Sequence, residues 1–550
     1  MDRRTVLALV LVALVVLITP RLFPSTRTPG LPVRADSMPA VQPRNDSLTL
    51  QRPIAVDAPR PTLVESPPIV AVTAESTLVE GGVTGFQFSS AGASLDRVVL
   101  KAHRSLKPDK GVVELRDPNG PLLSFRLLAG SDTVDFDATN FARQPSSSPN
   151  DVAFRAVVRG FPVHLTYAVV PDSYVVRVSG SVEPDSAGRR PDFLFVDFPS
   201  TLASFEADTL ADQGALSYAM KPATRSAEAI PFRSLDPGER QIVPGPISWA
   251  VAKSKYFLIG VLQQDGDSSV VEAQAVGGTR SSSVATTAHA TLVRRLSGAS
   301  TFAFDVYAGP QAYERLRALG RDFENSNPYG GFMQGVVQPF ATIVMRILLW
   351  MKAALPLSYG WLLIVFGVVV RLLLWPLNQG AMRSSIKMQR IQPELTALQQ
   401  KHKSDPQKLQ SEMMRVYKEH DMSPFSAFAG CLPLLLPMPI LFALFFVFQN
   451  TIEFRGVPFL WLADISLKDP FYIVPVLMGA SMFVMSWVGM RNSPPNQQAK
   501  IMMYVLPVMM TVMFANFASG LNLYYAVQNV AAIPQQWLIA NERAKTTKKT

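Results

Sequence analysis

The stretch Gly367-Val368-Val369-Val370-Arg371-Leu372-Leu373-Leu374-Trp375-Pro376 sets one guanidinium inside an apolar run that begins at Tyr359. A charge in hydrocarbon costs roughly 2.5–3.5 kcal/mol even on the lenient insertion scale, so this arginine needs water, a partner or a route to the interface. Four more apolar stretches follow it: Cys431 to Phe448, Phe471 to Met490, Ile501 to Phe517 and Leu521 to Ile539. The last two are separated only by Ala518-Ser519-Gly520, which reads as a tight hairpin. None of the five contains Asp or Glu. Each is close to the roughly 20 residues that cross a bilayer. The spacing therefore predicts a polytopic helical membrane protein.

Upstream, Arg3 and Arg4 precede an uncharged run from Thr5 to Pro20, and no small-residue cleavage site follows. Residues 1–23 are expected to be an uncleaved transmembrane anchor, with Arg21 snorkelling to the far interface. Positive charge orients the set. Residues 378–430 carry eight Lys or Arg and the segment after Asn541 carries four, whereas 451–470 carry two. Six spans put both termini and both basic segments in the cytoplasm. Phe332 to Leu349 is also apolar, but Gln334, Gln338, Thr342 and Arg346 recur every four residues and share one helical face. That pattern predicts a helix lying in the membrane interface rather than a seventh span.

The 550 residues suffice for two or three domains. Charged residues make up 17%, the mean hydropathy is positive, and 18 of the 21 methionines lie after Phe332. An ordinary soluble enzyme is excluded. Ten prolines crowd into residues 24–68, so 24–76 reads as an extended tether that lets the next domain stand away from the membrane. From 77 to 315 the pattern is strand-like: Val163, Leu165, Tyr167 and Val169 alternate with polar or small residues. A turn at Pro171-Asp172-Ser173 follows, and Tyr174, Val176 and Val178 return. Similar runs at 193–198, 256–262 and 302–306 predict an exported all-β sandwich. The sole cysteine, Cys431, leaves it without an internal disulfide. His103, His164 and His289 show no ligand spacing, so a scaffold or docking surface is expected there rather than an enzyme or a carbohydrate module. Residues 316–357 are assigned to a linker plus the interfacial helix, 358–540 to a five-helix core, and 541–550 to a basic tail.

Within the core, Arg371 has two readings. It snorkels to the cytoplasmic headgroups, or it lines a water-filled cavity open to the cytoplasm and offers an unpaired positive site. Asn516, Asn522, Tyr524, Tyr525, Gln528 and Asn529 are polar residues near the last two spans that fit either a cavity or interhelical hydrogen bonding. Pro433, Pro437 and Pro439 predict a kink in the second core span, with Met438 beside them. Residues 378–430 read as a helical hairpin: Ile391, Leu395 and Leu398 form one stripe, Leu409, Met413 and Val416 another. Asp405-Pro406 supplies a cap followed by proline at the first helical position. No nucleotide-binding loop or metal-ligand spacing is present, so no cofactor and no enzymatic activity are expected. A secondary transporter or channel using Arg371 as an anion site is the alternative, although no broken-helix repeat is evident.

Several motifs occur in one order: Arg371 before Pro376, Gln392-Pro393-Glu394-Leu395, Glu412-Met413-Met414 with Tyr417-Lys418, and Gly430-Cys431-Leu432-Pro433 with Met438-Pro439-Ile440. After them come Asp469-Pro470-Phe471-Tyr472, then Gly520-Leu521-Asn522-Leu523-Tyr524-Tyr525 with Asn529 and Gln535-Gln536-Trp537. Over residues 327–540 this series resembles the YidC family of membrane protein insertases, and the anchor, tether and β domain resemble its Gram-negative form. The resemblance implies an inner-membrane insertase and chaperone with a hydrophilic groove open to the cytoplasm. Arg371, Asn522, Tyr524, Tyr525 and Gln528 would line the groove, and Pro433, Met438 and Pro439 would lie on a helix that meets the substrate. It also implies nascent membrane proteins as substrates and work alone or beside the Sec translocon. The ribosome, the signal recognition particle receptor and membrane lipids are further implied partners, with no role for DNA. Pro437 departs from the family's frequent polar residue, and the short tail after Asn541 weakens the case for ribosome binding there.

Overall fold

The computed structural model describes residues 74–328, 334–376, 405–419, 438–491 and 497–547, less short breaks at 147, 282–283, 286 and 297–299, together with scattered positions between 391 and 402. The anchor at 1–23 and nearly all of the tether lie outside these residues, as do Pro433 and Pro437.

Alternation decides the β domain, because each strand must bury one face of its side chains. Phe161–Val169 shows strict alternation of buried and half-buried residues, with Tyr167 wholly enclosed, its ring against Phe88 and Phe154 and its hydroxyl donating to Ala93 O at 2.5 Å. A nine-stranded antiparallel sheet runs in the order Glu228–Pro231, Ser217–Pro222, Ile247–Lys253, Phe257–Gln263, Thr301–Pro310, Val175–Val182, Phe161–Val169, Asp151–Val158, Ala142–Gln144. A six-stranded sheet orders Arg240–Pro244, Val270–Gly277, Ala288–Arg295, Phe193–Asp197, Ser124–Ala129, Asp132–Asp135. A four-stranded sheet, Ser76–Glu80 to Val112–Arg116, contributes Phe86, Phe88, Val98 and Leu100 to the same apolar core. The expected sandwich is therefore present, and every short run singled out above is a strand.

Its boundary differs from the expected 315. The short helix Tyr313–Ala318 is followed by a single turn, Phe323–Ser326, that is built into the sandwich. Phe323 is fully buried between Trp249 and Tyr307, and the Trp249 indole donates to Arg321 O at 2.9 Å. The buried Lys253 ammonium donates to Asn327 Oδ1 at 2.9 Å. Burial lowers the Lys253 pKa to about 8. An aromatic anchor this deep makes the next dozen residues part of the domain, which periodicity alone did not reveal.

The helical part comprises α1 (Gln334–Ala354), α2 (Tyr359–Leu373), α3 (Pro406–Glu419), α4 (Met438–Asn450), α5 (Ile473–Met490), α6 (Gln497–Phe514) and α7 (Ser519–Thr547). By length and composition, α1 and α5 are long and apolar enough to cross a membrane; α2 and the apolar parts of α4 and α6 are shorter. α7 packs along α5 and α2, α1 packs on α4, and α5 packs on α6. Small residues allow the close approaches. A methyl group on Gly479 of α5 would sit 1.9 Å from Thr511 Oγ1 of α6. A tight turn joins α6 to α7, but it lies at residues 515–518, upstream of the expected Ala518-Ser519-Gly520, because Ser519 and Gly520 already open α7. The basic tail is not a separate segment, because α7 continues as helix through to Thr547.

In α3, Asp405 caps the first turn, its Oδ1 accepting from the Lys408 amide at 3.0 Å. Ile391 and Leu395 are buried with Val416 and Tyr417, beside Leu398 and Met413, so the two predicted stripes meet each other.

Candidate functional site

The β domain and the helices were expected to stand apart, and they do not. Three of the four polar residues in the row on α1 bond to the β domain and its C-terminal turn: Gln334 donates to Ala227 O at 3.1 Å, Gln338 to Asn325 Oδ1 at 3.1 Å, and the exposed Arg346 to the Tyr313 hydroxyl at 3.1 Å. Periodicity identifies a polar face but not what meets it. On the other side of the helix Val336, Phe340, Ile343, Ile347 and Trp350 remain exposed.

A second contact arises in the connector between α4 and α5. Arg455 lies almost wholly buried against the β domain. Its Nε is 2.9 Å from both Glu206 carboxylate oxygens, its Nη2 donates to Arg104 O at 2.9 Å, and its guanidinium lies 5.2 Å over the Phe257 ring. His103 meets the same ring edge-on at 5.5 Å. Burial pushes the Glu206 carboxyl up to about 7, against the downward pull of Arg455; Asp212 adds to the rise and Lys255 opposes it. Burial first, then Arg455 and Arg315, push His103 down to about 4.

The charge that decided the sequence reading sits in the last turn of α2. Arg371 Nη2 donates to Gln535 Oε1 at 2.8 Å, and Gln535 Nε2 donates to Trp375 O at 3.0 Å. Arg371 Nε is buried without a partner, and no described carboxylate lies within ion-pair distance. Gln528 Nε2 donates to Gly367 O and to the Tyr524 hydroxyl, both at 2.9 Å. Tyr524, Gln528 and Gln535 are spaced by four and seven residues, which places them on one face of α7 turned toward α2.

The remaining expected groove residues divide. Asn522 is fully buried at the α6–α7 turn, where Nδ2 donates to Phe514 O at 3.0 Å and Oδ1 has no partner. Tyr525 stacks edge-on with Phe514 at 5.2 Å. Asn529 reaches α5 instead, donating to Met478 O at 3.3 Å and Ser481 Oγ at 3.2 Å, while Asn516 is exposed. The structure thus brings Arg371, Tyr524 and Gln528 to the seam between α2 and α7, whereas Asn522 and Tyr525 project from other faces of α7 and meet Phe514 of α6. Met438 and Pro439 begin α4, but their side chains lie outside the described residues, as Pro433 does entirely. Gln535 is the partner that the sequence reading missed as a site residue, although the run Gln535-Gln536-Trp537 was visible. No metal-binding cluster of His, Cys, Asp or Glu occurs among the described residues.

An apolar helix bundle carrying an uncompensated guanidinium, joined to an all-β domain, defines a membrane protein with one extramembranous sandwich. The family model for the YidC periplasmic domain matches residues 77–343, and that for the 60Kd inner membrane protein matches residues 350–547. The chain belongs to the YidC family, whose members are inner-membrane proteins with a periplasmic domain. A protein of an Anaeromyxobacter species named membrane protein insertase YidC is 33% identical over 324 residues, 58% of this chain; the match spans just over half of that relative, 56%. A Chlorobium luteolum protein of the same name is 28% identical over 574 residues, covering 98% of this chain and 95% of the relative. A crystal structure described as an active YidC insertase with its first transmembrane domain resolved aligns over 84% of this chain and 92% of its own, at 17% identity and a TM-score of 0.33.

Proposed function

We propose that this protein inserts integral membrane proteins into the inner membrane and helps them fold, alone or beside the Sec translocon, without a nucleotide and without catalysing a covalent reaction. The carrying observation is the electrostatic state of Arg371. Its one described side-chain partner is the neutral amide of Gln535, which holds the guanidinium in place but leaves its charge uncompensated. Such a group is costly in hydrocarbon, and an acidic segment of an incoming chain would complete it. In this reading Arg371 and Gln528, both half-buried, face a groove that shortens the apolar barrier, with the buried Tyr524 and Gln535 bracing them from behind, and burying some 20 apolar residues in lipid drives the substrate outward. Nascent membrane proteins are thus the substrates, and the ribosome and the signal recognition particle receptor are partners consistent with delivery to that groove. The relatives' shared name, membrane protein insertase, supports the same reading.

In this reading the topology is six spans with both termini in the cytoplasm, residues 378–430 form a cytoplasmic hairpin, and α1 lies in the outer-facing interface. The hydrogen bonds of α1 support its placement. Residues 334 and 346 are about 18 Å apart along a helix, and both bond to the periplasmic domain or the turn that closes it. A spanning helix would carry Arg346 away from that domain.

The test is timed protease protection of a translocated tail carrying zero, one or two Asp residues. Arg371→Ala should slow the acidic tails selectively. Arg371→Lys, which keeps the charge but loses the planar fork, should retain most of the activity, and Arg371→Glu should be slowest. Equal rates for wild type and Arg371→Ala with all three tails would remove the electrostatic role.

A further inference from the structure

The connector between α4 and α5 is short enough to be read as a simple periplasmic loop, yet its surface has the wrong chemistry for water. Between residues 456 and 472 the exposed positions are Gly456, Pro458, Leu460, Trp461, Ala463, Lys468, Pro470, Phe471 and Tyr472, and Lys468 is the only charge among them. Both acids of the segment are turned inward. Asp464 is 7% exposed, and Asp469 is fully buried, where it accepts from the Phe471 amide at 3.0 Å, the Val474 amide at 2.7 Å and the Trp461 indole at 3.3 Å. The connector is also rigid in construction. Phe459 and Leu462 exchange backbone hydrogen bonds at 2.9 Å each, Ile465 O accepts from Gly520 N at 2.9 Å, and Leu467 O accepts from Ser519 N at 2.7 Å.

Two residues in it adopt the left-handed conformation that turns reserve for glycine or asparagine: Leu460 with φ +51 and Tyr472 with φ +57. The first holds an apolar side chain at the tip of the tight turn, 68% exposed; the second starts α5 beside Phe471, which is 66% exposed. Trp361, at the start of α2 and half exposed, meets Phe459 edge-on at 5.4 Å and so joins the same ledge. In water this arrangement is unfavourable twice over, through strain and through exposed apolar area.

We infer that residues 456–472 form a lipid-interface anchor, with Leu460, Trp461, Phe471 and Tyr472 immersed at the headgroup–acyl boundary of the periplasmic leaflet. Three observations select a phospholipid surface as the occupant. Aromatic side chains whose polar edge is satisfied, as the Trp461 indole is by Asp469, are those that partition to that boundary. The one exposed charge is basic and no acid is exposed, which suits anionic headgroups. The ledge continues directly into α5, whose Val476, Leu477, Val484 and Trp487 are exposed apolar residues in turn. Arg455, at the head of the same connector, is clamped in the β domain. The anchor therefore seats that domain on the bilayer rather than leaving it at the end of a tether.

The inference rests on α2 and α5 being membrane spans, and its test does not read insertion. The full chain is reconstituted in phosphatidylethanolamine–phosphatidylglycerol vesicles with acyl chains brominated near the headgroup. The Trp461 signal is the difference between wild type and Trp461→Phe. It should fall about twofold or more with brominated lipid and resist aqueous iodide. A second probe needs no buried residue: a spin label on Leu460→Cys in a Cys431→Ser background should collide with oxygen and be shielded from a water-soluble nickel chelate. A Trp461 signal quenched by iodide and indifferent to bromine, or a Leu460 label freely reached by nickel, overturns the anchor. Either outcome leaves the Arg371 assay independent, because that assay follows substrate tails and not this ledge.

Discussion

Replacing Arg455 with methionine is the most informative single change outside the groove. The side chain fills similar space, but the Glu206 carboxylate loses both 2.9 Å contacts in a site where it is 4% exposed, and Arg104 O loses its donor. Above pH 7, where the Glu206 carboxyl is ionised, removing one partner of the buried ion pair costs up to about 3–5 kcal/mol, because the remaining charge is stranded without water. At about 1.4 kcal/mol per factor of ten, contact between the connector and the β domain should weaken by two to three and a half orders of magnitude. The measurement is backbone hydrogen exchange in detergent micelles. Amides whose bonds sit in the connector, Leu462 and Ile465, should exchange faster by up to that factor, whereas amides in the nine-stranded sheet should not change. The double variant Arg455→Met with Glu206→Leu should recover most of the loss, since an apolar pair leaves nothing stranded. Wild-type exchange in Arg455→Met would refute the view that this pair holds the domain to the core.

The same cluster makes an opposed pH prediction. Glu206, raised from 4.5 to about 7, favours docking at low pH and loses that contribution as pH rises through 7; His103, lowered from 6.5 to about 4, favours docking at high pH and loses it as pH falls toward 4. Between pH 4.5 and 6.5 the separated state carries its proton on His103 and the docked state carries one on Glu206, so wild-type exchange protection should be flat there. Glu206→Gln should become less protected as pH falls across that window and His103→Gln as pH rises, with parallel flat profiles speaking against both assignments. Topology is checked by cysteine labelling: Ser404→Cys should react only after the inner membrane is permeabilised. For the opposite side Lys468→Cys, at an exposed position of the connector, should react from outside.

Legibility followed the physics of each signal. Strands with one buried face announce themselves by alternation, so Phe161–Val169 and its neighbours were readable, as were the apolar helices and the Asp405 cap. Arg371 stood out because charge in an apolar run is expensive. What periodicity cannot encode is the identity of the neighbour. The Gln334–Arg346 row was correctly seen as a polar face, but water and a β domain satisfy such a face equally well. Arg455 and Glu206 are separated by 249 residues, and each alone is an ordinary charged residue. Gln535 was hidden for a similar reason: an uncharged amide near a helix end carries no signal until the arginine it holds is known. Phe323 and its turn lacked alternation altogether, so the domain was drawn about a dozen residues short.

These contacts change how the periplasmic domain's contribution should be argued. A sandwich on a long N-terminal tether with no chemistry of its own would be dispensable, and excising residues 77 to about 297 would leave the core untouched. The structure gives the excision specific consequences. It removes Glu206, Arg104 and Phe257, exposing the Arg455 guanidinium to water, where its cost is small, and it takes away the Gln334 partner at Ala227. Tyr313 and Asn325 stay in the chain, so Arg346 and Gln338 keep their bonding partners, but the cut also takes Trp249 and Lys253, which hold the turn that presents Asn325. A complete excision is therefore gentler than a point change at Glu206 or Arg455, because it strands no buried charge. A core that works without the domain but is loosened by Arg455→Met would follow from that difference, and it would separate what the domain does for the connector from what the groove does for a substrate.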